Sequence, residues 1–280
     1  MKISFTKMQG LGNDFILVDC LDKQLRVRGE DLGDLARELC NRRVGIGADQ
    51  LLLLYPSDIA DFKMRIFNAD GSEVEMCGNG IRCFARYIWD RGLSEKDMFS
   101  VETMAGVMKP LRSGDMVTVD MGEPVLEGRL IPVNADGLIK DFLLKIENEE
   151  FKITCVSMGN PHAIIVVEDV DSFYVKKYGP LIEVNRLFPK RINVEFIQVI
   201  NNEKIKMRVW ERGSGETMAC GTGASAAAVA ANLLGLAGRK VSVELPGGEL
   251  VIEWKEDNRV YMTGPAVNVF SGEIEVGRIQ

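Results

Sequence analysis

Hydrophobic and polar positions along the chain predict short strands punctuated by three helices. Residues 2–8 and 15–19 read as strands joined by Gly10-Leu11-Gly12-Asn13-Asp14, where glycine reaches backbone angles closed to other residues and Asn13 suits a tight polar turn. Leu32, Leu35, Ala36 and Leu39 fall on one face of an amphipathic helix over 30–41. Apolar strands follow at 51–55 and 62–68, then a helix over 81–91 that Gly92 would stop. Residues 98–120 read as a β-meander with turns at Gly106 and Ser113-Gly114-Asp115. Beyond a turn at Asn134-Ala135-Asp136-Gly137, strands are predicted at 151–156, 163–167 and 194–199. The helix over 224–237 is nearly apolar all round, which implies burial inside its own domain. The tail, 240–280, alternates like antiparallel strands around Pro246-Gly247-Gly248.

One stretch occurs twice. Met64 to Gly80 aligns without a gap on Met207 to Gly223 at an offset of 143 residues, and six of the seventeen positions are identical. Chance would give about one, so the chain carries an internal duplication. Each copy reads as a strand, a polar turn, a cysteine, a Gly-Xaa-Gly and a helix. Asn160 follows Asn13 by 147 residues and Asn193 follows Gln50 by 143, which extends the repeat on both sides. The fold expected is α+β: two pseudo-symmetric domains, each a mostly antiparallel sheet wrapped around a central helix. The first domain is assigned to 1–120, completed by the strands of 266–280, and the second to 121–265.

Composition narrows the partners. A net charge of −7 argues against nucleic acid, which needs a basic surface. No apolar run approaches the roughly 18 residues of a membrane span, and no signal peptide is apparent, so a soluble cytoplasmic protein is expected. Six cysteines in 280 residues are too few for a disulfide scaffold. Their spacings lack paired Cys-Xaa-Xaa-Cys, so no metal site is expected.

Cys77 and Cys220 stand at equivalent helix starts. Unpaired backbone N–H groups there stabilise a thiolate and draw a thiol's pKa from about 8.5 towards neutrality. Gly78-Asn79-Gly80 and Gly221-Thr222-Gly223 let backbone amides approach an anion such as a carboxylate. Two such ends forming one site suit the removal of a proton from one face of a carbon and its return to the other. Cys20, Cys40, Cys83 and Cys155 lack this context and read as small core residues.

Phe67-Asn68-Ala69-Asp70-Gly71-Ser72, Met76-Cys77-Gly78-Asn79-Gly80-Ile81-Arg82, Trp210-Glu211-Arg212-Gly213-Ser214-Gly215-Glu216-Thr217 and Ala219-Cys220-Gly221-Thr222-Gly223 resemble the diaminopimelate epimerase family. So do Gly10-Leu11-Gly12-Asn13-Asp14-Phe15, Gly45-Ile46-Gly47-Ala48-Asp49-Gln50 and Gly159-Asn160-Pro161-His162, in order along the chain. Gln9 departs from a frequent histidine. The resemblance implies a cofactor-independent epimerase interconverting LL- and meso-diaminopimelate in lysine and peptidoglycan precursor biosynthesis, and a homodimer. It makes Cys77 and Cys220 the acid and base, with His162 and Glu211 modulating their pKa. It assigns Asn13, Gln50, Asn68, Gly78, Asn79, Asn160, Asn193, Glu211, Arg212, Gly221 and Thr222 to substrate binding. Closure of the two domains over substrate is expected, to expel water.

Three rival readings stand beside this one. A two-thiol proline or hydroxyproline racemase would leave Glu211-Arg212 without a second charged substrate end to bind. A thiol redox protein would ordinarily carry Cys-Xaa-Xaa-Cys. A non-catalytic binding module would leave two activated thiols unexplained.

Overall fold

In the computed structural model, which describes residues 2–21 and 32–276, the chain begins with β1 (Lys2–Gly10), β2 (Asn13–Asp19), α1 (Leu32–Cys40), β3 (Gln50–Tyr55), β4 (Phe62–Asn68), β5 (Glu73–Val74) and α2 (Gly78–Asp90). Short strands follow: β6 (Val101–Thr103), β7 (Gly106–Met108), β8 (Leu111–Ser113) and β9 (Met116–Asp120). Then come β10 (Phe142–Ile146), β11 (Glu149–Ser157), β12 (Pro161–Val166), α3 (Val175–Glu183), β13 (Asn193–Asn201), β14 (Lys204–Glu211), β15 (Gly215–Thr217) and α4 (Gly221–Leu233). The chain ends with β16 (Lys240–Leu245), β17 (Gly248–Trp254), β18 (Val260–Gly264) and β19 (Val267–Glu275). The first two positions of the helix expected over 30–41, and the last four of the tail, lie outside the described residues.

The chain divides into two compact units. One takes residues up to Val119 together with those from Gly264 on, and the other spans Asp120–Thr263. The sheet of the first runs β19-β1-β2-β3-β4-β6-β7, with β5 paired to β4. Its edge is closed by the returning tail, where β19 pairs antiparallel with β1 from Lys2–Glu275 to Gln9–Val267. The second unit's own strands run β10-β11-β12-β13-β14-β16-β17-β18, with β15 paired to β14. Both sheets are mostly antiparallel, and their parallel pairs match: β2 with β3 and β12 with β13, Phe15 facing Gln50 as His162 faces Asn193. The two copies therefore share register as well as motif.

The central strands of each sheet are buried on both faces, which explains why β2, β3, β12 and β13 are apolar at consecutive positions. Leu51 and Leu53 join Ile16 and Val18 in a core with Leu32, Leu35 and Leu39 of α1. On the other face Leu52 and Phe15 lie against the start of α2. In the second unit Val194, Phe196, Ala163 and Ile165 pack with Val175, Tyr178 and Ile182 of α3. The opposite face takes α4, which packs on β11 to β14, β16 and β17. Alternation along each strand decides which helix a side chain meets.

Both central helices begin earlier than their glycines predict. Helices were expected over 81–91 and 224–237, yet Gly78 and Gly221 already lie in the first turn, with Cys77 and Cys220 as N-caps. The second also ends earlier, because Gly235 adopts φ +75° beyond the C-cap and stops it as Gly92, at φ +65°, stops the first. Helix α3 was not predicted, since Gly179 and Pro180 interrupt its pattern. Packing supplies the reason for the glycine: a Cβ at 179 would stand 2.6 Å from Trp210 Cβ. Trp210 precedes Glu211-Arg212, so this contact also holds a candidate site segment. Gly179→Ala should overpack it and cost about 1–3 kcal/mol, read as a lower urea midpoint. An unchanged midpoint would show that α3 and β14 yield without cost.

Candidate active site

In the first unit the start of α2 organises the site. Cys77 has extended backbone (φ −136°, ψ 118°), and its Sγ accepts from the Gly80 N–H at 3.4 Å. The Ile81 N–H is taken by the Cys77 carbonyl. The amides of Gly78 and Asn79, earlier in the turn, have no intrahelical acceptor. Asn13 joins this turn from the β1–β2 connection: its Oδ1 accepts from Asn79 Nδ2 at 3.3 Å and lies 3.6 Å from the Cys77 sulfur. The other side of that amide is fixed as well, because Asn13 Nδ2 donates to Asp49 Oδ2 at 2.8 Å. Arg42 bridges Asp14 and Asp49 at 2.7 and 2.8 Å, and Lys7 reaches Asp14 at 2.6 Å. Burial opposes the charge on Asp14, but the hydrogen bonds from Arg42 and Lys7 outweigh it and hold the carboxyl well below its usual range. Gln50 Nε2 donates to Asn68 Oδ1 at 2.9 Å, and Asn68 in turn donates to Ser72. Gln50 Oε1 and Asn79 Oδ1 are buried acceptors without a hydrogen-bond partner among the described residues.

The second unit repeats the cap with different surroundings. Cys220 is extended (φ −129°, ψ 113°), and its Sγ accepts from Gly223 N–H at 3.4 Å and lies 3.4 Å from Thr222 Oγ1. Asn193 is buried and ties two loops together, donating to the Pro161 carbonyl at 2.8 Å and accepting from the Arg212 N–H at 2.9 Å. Glu183 clamps the same turn, accepting from Trp210 Nε1 at 2.8 Å and from the Gly213 N–H at 3.1 Å. The Arg212 guanidinium donates to the Lys190 carbonyl at 3.0 Å, while Glu211 accepts from the Thr217 hydroxyl. His162 lies between Asn160 Oδ1, 3.0 Å from Nε2, and Glu195 Oε1, 2.7 Å from Nδ1.

The electrostatics separate the cysteines. Burial pushes Cys20 up to about 11 and Cys40 and Cys83 up to about 12, and it carries Cys155 higher still, so these four stay thiols at neutral pH. The expectation that a helix start draws both site thiols towards neutrality fails for Cys220. Burial raises it well above an ordinary thiol, and the charges of Glu211 and Glu195 add to that. Hydrogen bonds involving Thr222 and the Gly223 N–H oppose the rise without reversing it.

Within the first unit Asn13, Cys77 and Asn79 meet directly, and Gln50 joins Asn68. Within the second, Cys220 meets Thr222, Asn160 meets His162, and Asn193 meets the backbone of Arg212. Sequence reasoning missed Glu195, Glu183, and the Asp14–Asp49–Arg42–Lys7 cluster behind Asn13. Glu195 left a signal, a lone charge in the apolar run Val194-Glu195-Phe196-Ile197. Glu183 reaches Trp210 across 27 residues, Arg42 reaches Asp14 across 28 and Asp49 reaches Asn13 across 36, separations that leave no local signal. Among the described residues no cluster of His, Cys, Asp and Glu could hold a metal ion, and no helix is long and apolar enough to cross a membrane. A cavity of about 370 Å³ in the first unit lies elsewhere, lined by Asp19, Tyr87 and Arg91 at the far end of α2.

Comparison with known proteins places the fold and the family. Over their whole length, solved structures share the fold at low identity. A Bacillus anthracis phenazine biosynthesis protein of the PhzF family aligns with TM-score 0.70 at 19% identity, over 99% of this chain and 100% of that one. A probable proline racemase from Agrobacterium radiobacter K84 aligns with TM-score 0.70 at 14% identity, over 99% and 94%. Sequence likeness is closer to proteins named diaminopimelate epimerase. That of Moorella thermoacetica is 56% identical over 96% of this chain and 98% of its own length. Those of Acetivibrio thermocellus and Methanococcus maripaludis are 52% and 49% identical over 98% of this chain, covering 99% and 100% of theirs. The family model for diaminopimelate epimerase matches residues 5–127 and 154–269. The chain belongs to the diaminopimelate epimerase family.

Proposed function

We propose that the chain interconverts LL- and meso-diaminopimelate, with Cys77 and Cys220 as the acid and base pair. The observation that carries this reading is the pair of cysteine-capped helices, each sulfur held at 3.4 Å from the amide three residues on. One sulfur, as thiolate, takes the α-proton. The electron pair left on carbon spreads into the substrate carboxylate, and the other sulfur, as thiol, delivers a proton to the opposite face. Reversing the direction exchanges the two roles.

The α-proton is far less acidic than a thiol, so stabilisation of the carboxylate decides whether the reaction runs. A helix end contributes about 0.3–2 kcal/mol, too little alone. Preorganised donors in a dry site supply more, roughly 2.7–4 kcal/mol each. The amides of Gly78, Asn79, Gly221 and Thr222 are assigned this task. Asn13, Gln50, Asn68, Asn160, Asn193, Glu211 and Arg212 complete the recognition of substrate, and the charged pair Glu211-Arg212 answers the second amino-acid end of diaminopimelate. That assignment favours diaminopimelate over proline, which has no second end. His162 and Glu211 tune the thiols. The reaction as proposed draws on no cofactor, and the enzyme is assigned to the cytoplasm as a homodimer serving lysine and peptidoglycan precursor biosynthesis.

Incubating the enzyme with reductant and LL-diaminopimelate in heavy water tests the reading. Deuterium should enter at one α-carbon as the meso isomer appears, without added pyridoxal phosphate or metal. Absence of exchange would sink it. Cys77→Ser and Cys220→Ser should each lower kcat by about 10²-fold or more, the scale of one acid–base group, whereas Cys83→Ser should stay active. Arg212→Met should lower kcat/KM by roughly 30-fold, the equivalent of about 2 kcal/mol for a lost hydrogen bond between charged groups. Equal kinetics for this variant and the parent would remove Arg212 from the substrate contacts.

A further inference from the structure

Two buried polar side chains touch inside the second unit. His162 on β12 and Glu195 on β13 have no solvent exposure, and Nδ1 lies 2.7 Å from Oε1. Glu195 Oε2 is buried without a hydrogen-bond partner among the described residues. The carboxyl sits on the first turn of α4: a Cβ added to Gly223 would stand 2.7 Å from Glu195 Oε1 and 3.3 Å from the Cys220 sulfur.

The matching place in the first unit is apolar. A Cβ on Gly80 would meet Leu52 Cδ2 at 3.4 Å and Phe15 Cε1 at 3.5 Å. Leu52 and Glu195 are 143 residues apart, like Gly80 and Gly223, and Phe15 and His162 occupy matching registers of their sheets. The same two positions thus hold two hydrocarbon side chains in one copy and a carboxyl with an imidazole in the other. Burying the polar pair is the less favourable filling, so stability does not account for it.

With Asn160 turned so that Oδ1 faces the ring, the hydrogen bonds imply a proton count. Asn160 Oδ1 can only accept, so His162 Nε2 carries a hydrogen. Nδ1 then faces a carboxyl oxygen at 2.7 Å, a separation that two lone pairs would not hold, so a second proton lies between them. The pair holds both protons and has no net charge.

We propose that Glu195 is a positioning residue for the epimerase: by sharing a proton with His162 against the first turn of α4, it sets the proton affinity of Cys220 apart from that of Cys77. This rests on the two-thiol reading above. The groups facing the pair are Cys220 from α4, Glu211 from the end of β14, Cys155 from β11 and Asn160 from the loop before β12. Burial and Glu211 raise the Glu195 carboxyl while His162 lowers it, and the carboxyl end of the neutral pair, which is the end set against the first turn of α4, raises the Cys220 thiol.

His162 is the chain's single histidine, so its ring ¹⁵N resonances read this pair alone. Wild type should show Nε2 protonated and Nδ1 in the shared-proton range, as the geometry of the pair requires. In Glu195→Gln no carboxylate holds the second proton, so with the Nε2 hydrogen still donated to Asn160 the Nδ1 lone pair should accept from the new amide N–H and move to the unprotonated range. With diaminopimelate, this variant should lose kcat by roughly tenfold or more at little change in KM. The alkaline limb of its kcat/KM profile should move to lower pH, because no buried carboxylate opposes the Cys220 thiolate. The same Nδ1 signal in both proteins, or an unmoved limb, would overturn the proposal. Should the chain not epimerise diaminopimelate, the nitrogen signals still decide the proton sharing, and Cys220 alkylation against pH, followed by mass spectrometry, replaces the kinetic limb. Should Glu195→Gln not fold, the double change Glu195→Leu with His162→Phe restores the apolar pair of the first unit. Its Cys220 alkylation profile should depart from wild type, and a coincident profile would overturn the proposal.

Discussion

A sulfur that caps a helix is the constraint from which the site follows. Ser, Thr, Asp or Asn ordinarily takes the N-cap, because a short side chain with an oxygen reaches the amide two or three residues on. Here cysteine does so twice, with extended backbone and Sγ 3.4 Å from the amide of the third residue on. A weak acceptor gains less from that bond than oxygen would, so the cap serves the sulfur more than the helix. The arrangement dictates its neighbours. The residue donating to the sulfur must leave room for it, and a Cβ at either Gly80 or Gly223 would stand 3.3 Å from the cap's own Cβ. The two amides before it are left without helical acceptors, facing where a carboxylate would bind. Cys-Gly-Xaa-Gly is thus one geometric unit, in which each residue type answers a different demand.

The sheets transmit this constraint outward. Because the central strands of each are covered on both faces, a residue there meets either the outer helix or the central one according to its parity. Only side chains of central-helix parity, at the strand positions over the first turn, can reach the sulfur's surroundings. In the first unit these are Phe15 and Leu52, and in the second His162 and Glu195. Duplication could therefore preserve both cores and both caps while the chemistry around one sulfur changed at two positions.

This explains what the sequence discloses and what it hides. The repeat, the strands and the two cysteines follow from periodicity and from one offset, because each is local or is copied at fixed spacing. Helix starts are misjudged, since glycines that signal a loop here make room for a sulfur inside the first turn. Helix α3 is lost behind Gly179-Pro180, where Trp210 of a distant strand requires the glycine. The support of Asn13 by Asp49, and of the Trp210–Gly213 turn by Glu183, joins residues brought together only by folding. Glu195 is the intermediate case. Its charge is conspicuous within an apolar strand, but its meaning appears only when the 143 and 147 offsets are combined and both strands are seen to face the same helix turn.

Two faithful copies of one site would not tell the two sulfurs apart. The proposed reaction uses one sulfur charged and the other not, and with identical surroundings only substrate and the repulsion between two thiolates would decide which is which. The surroundings differ in the sign of charge. One turn into α2 the buried Arg82 donates to the Gly78 carbonyl, while at the equivalent place in α4 Ser225 donates to the Gly221 carbonyl. The cation is thus confined to the Cys77 side, whereas Glu195 and Glu211 stand beside Cys220. A guanidinium favours a thiolate and a carboxylate favours a thiol. With the backbone geometry kept in both copies, a few buried side chains suffice to give two equivalent sulfurs unlike electrostatic surroundings.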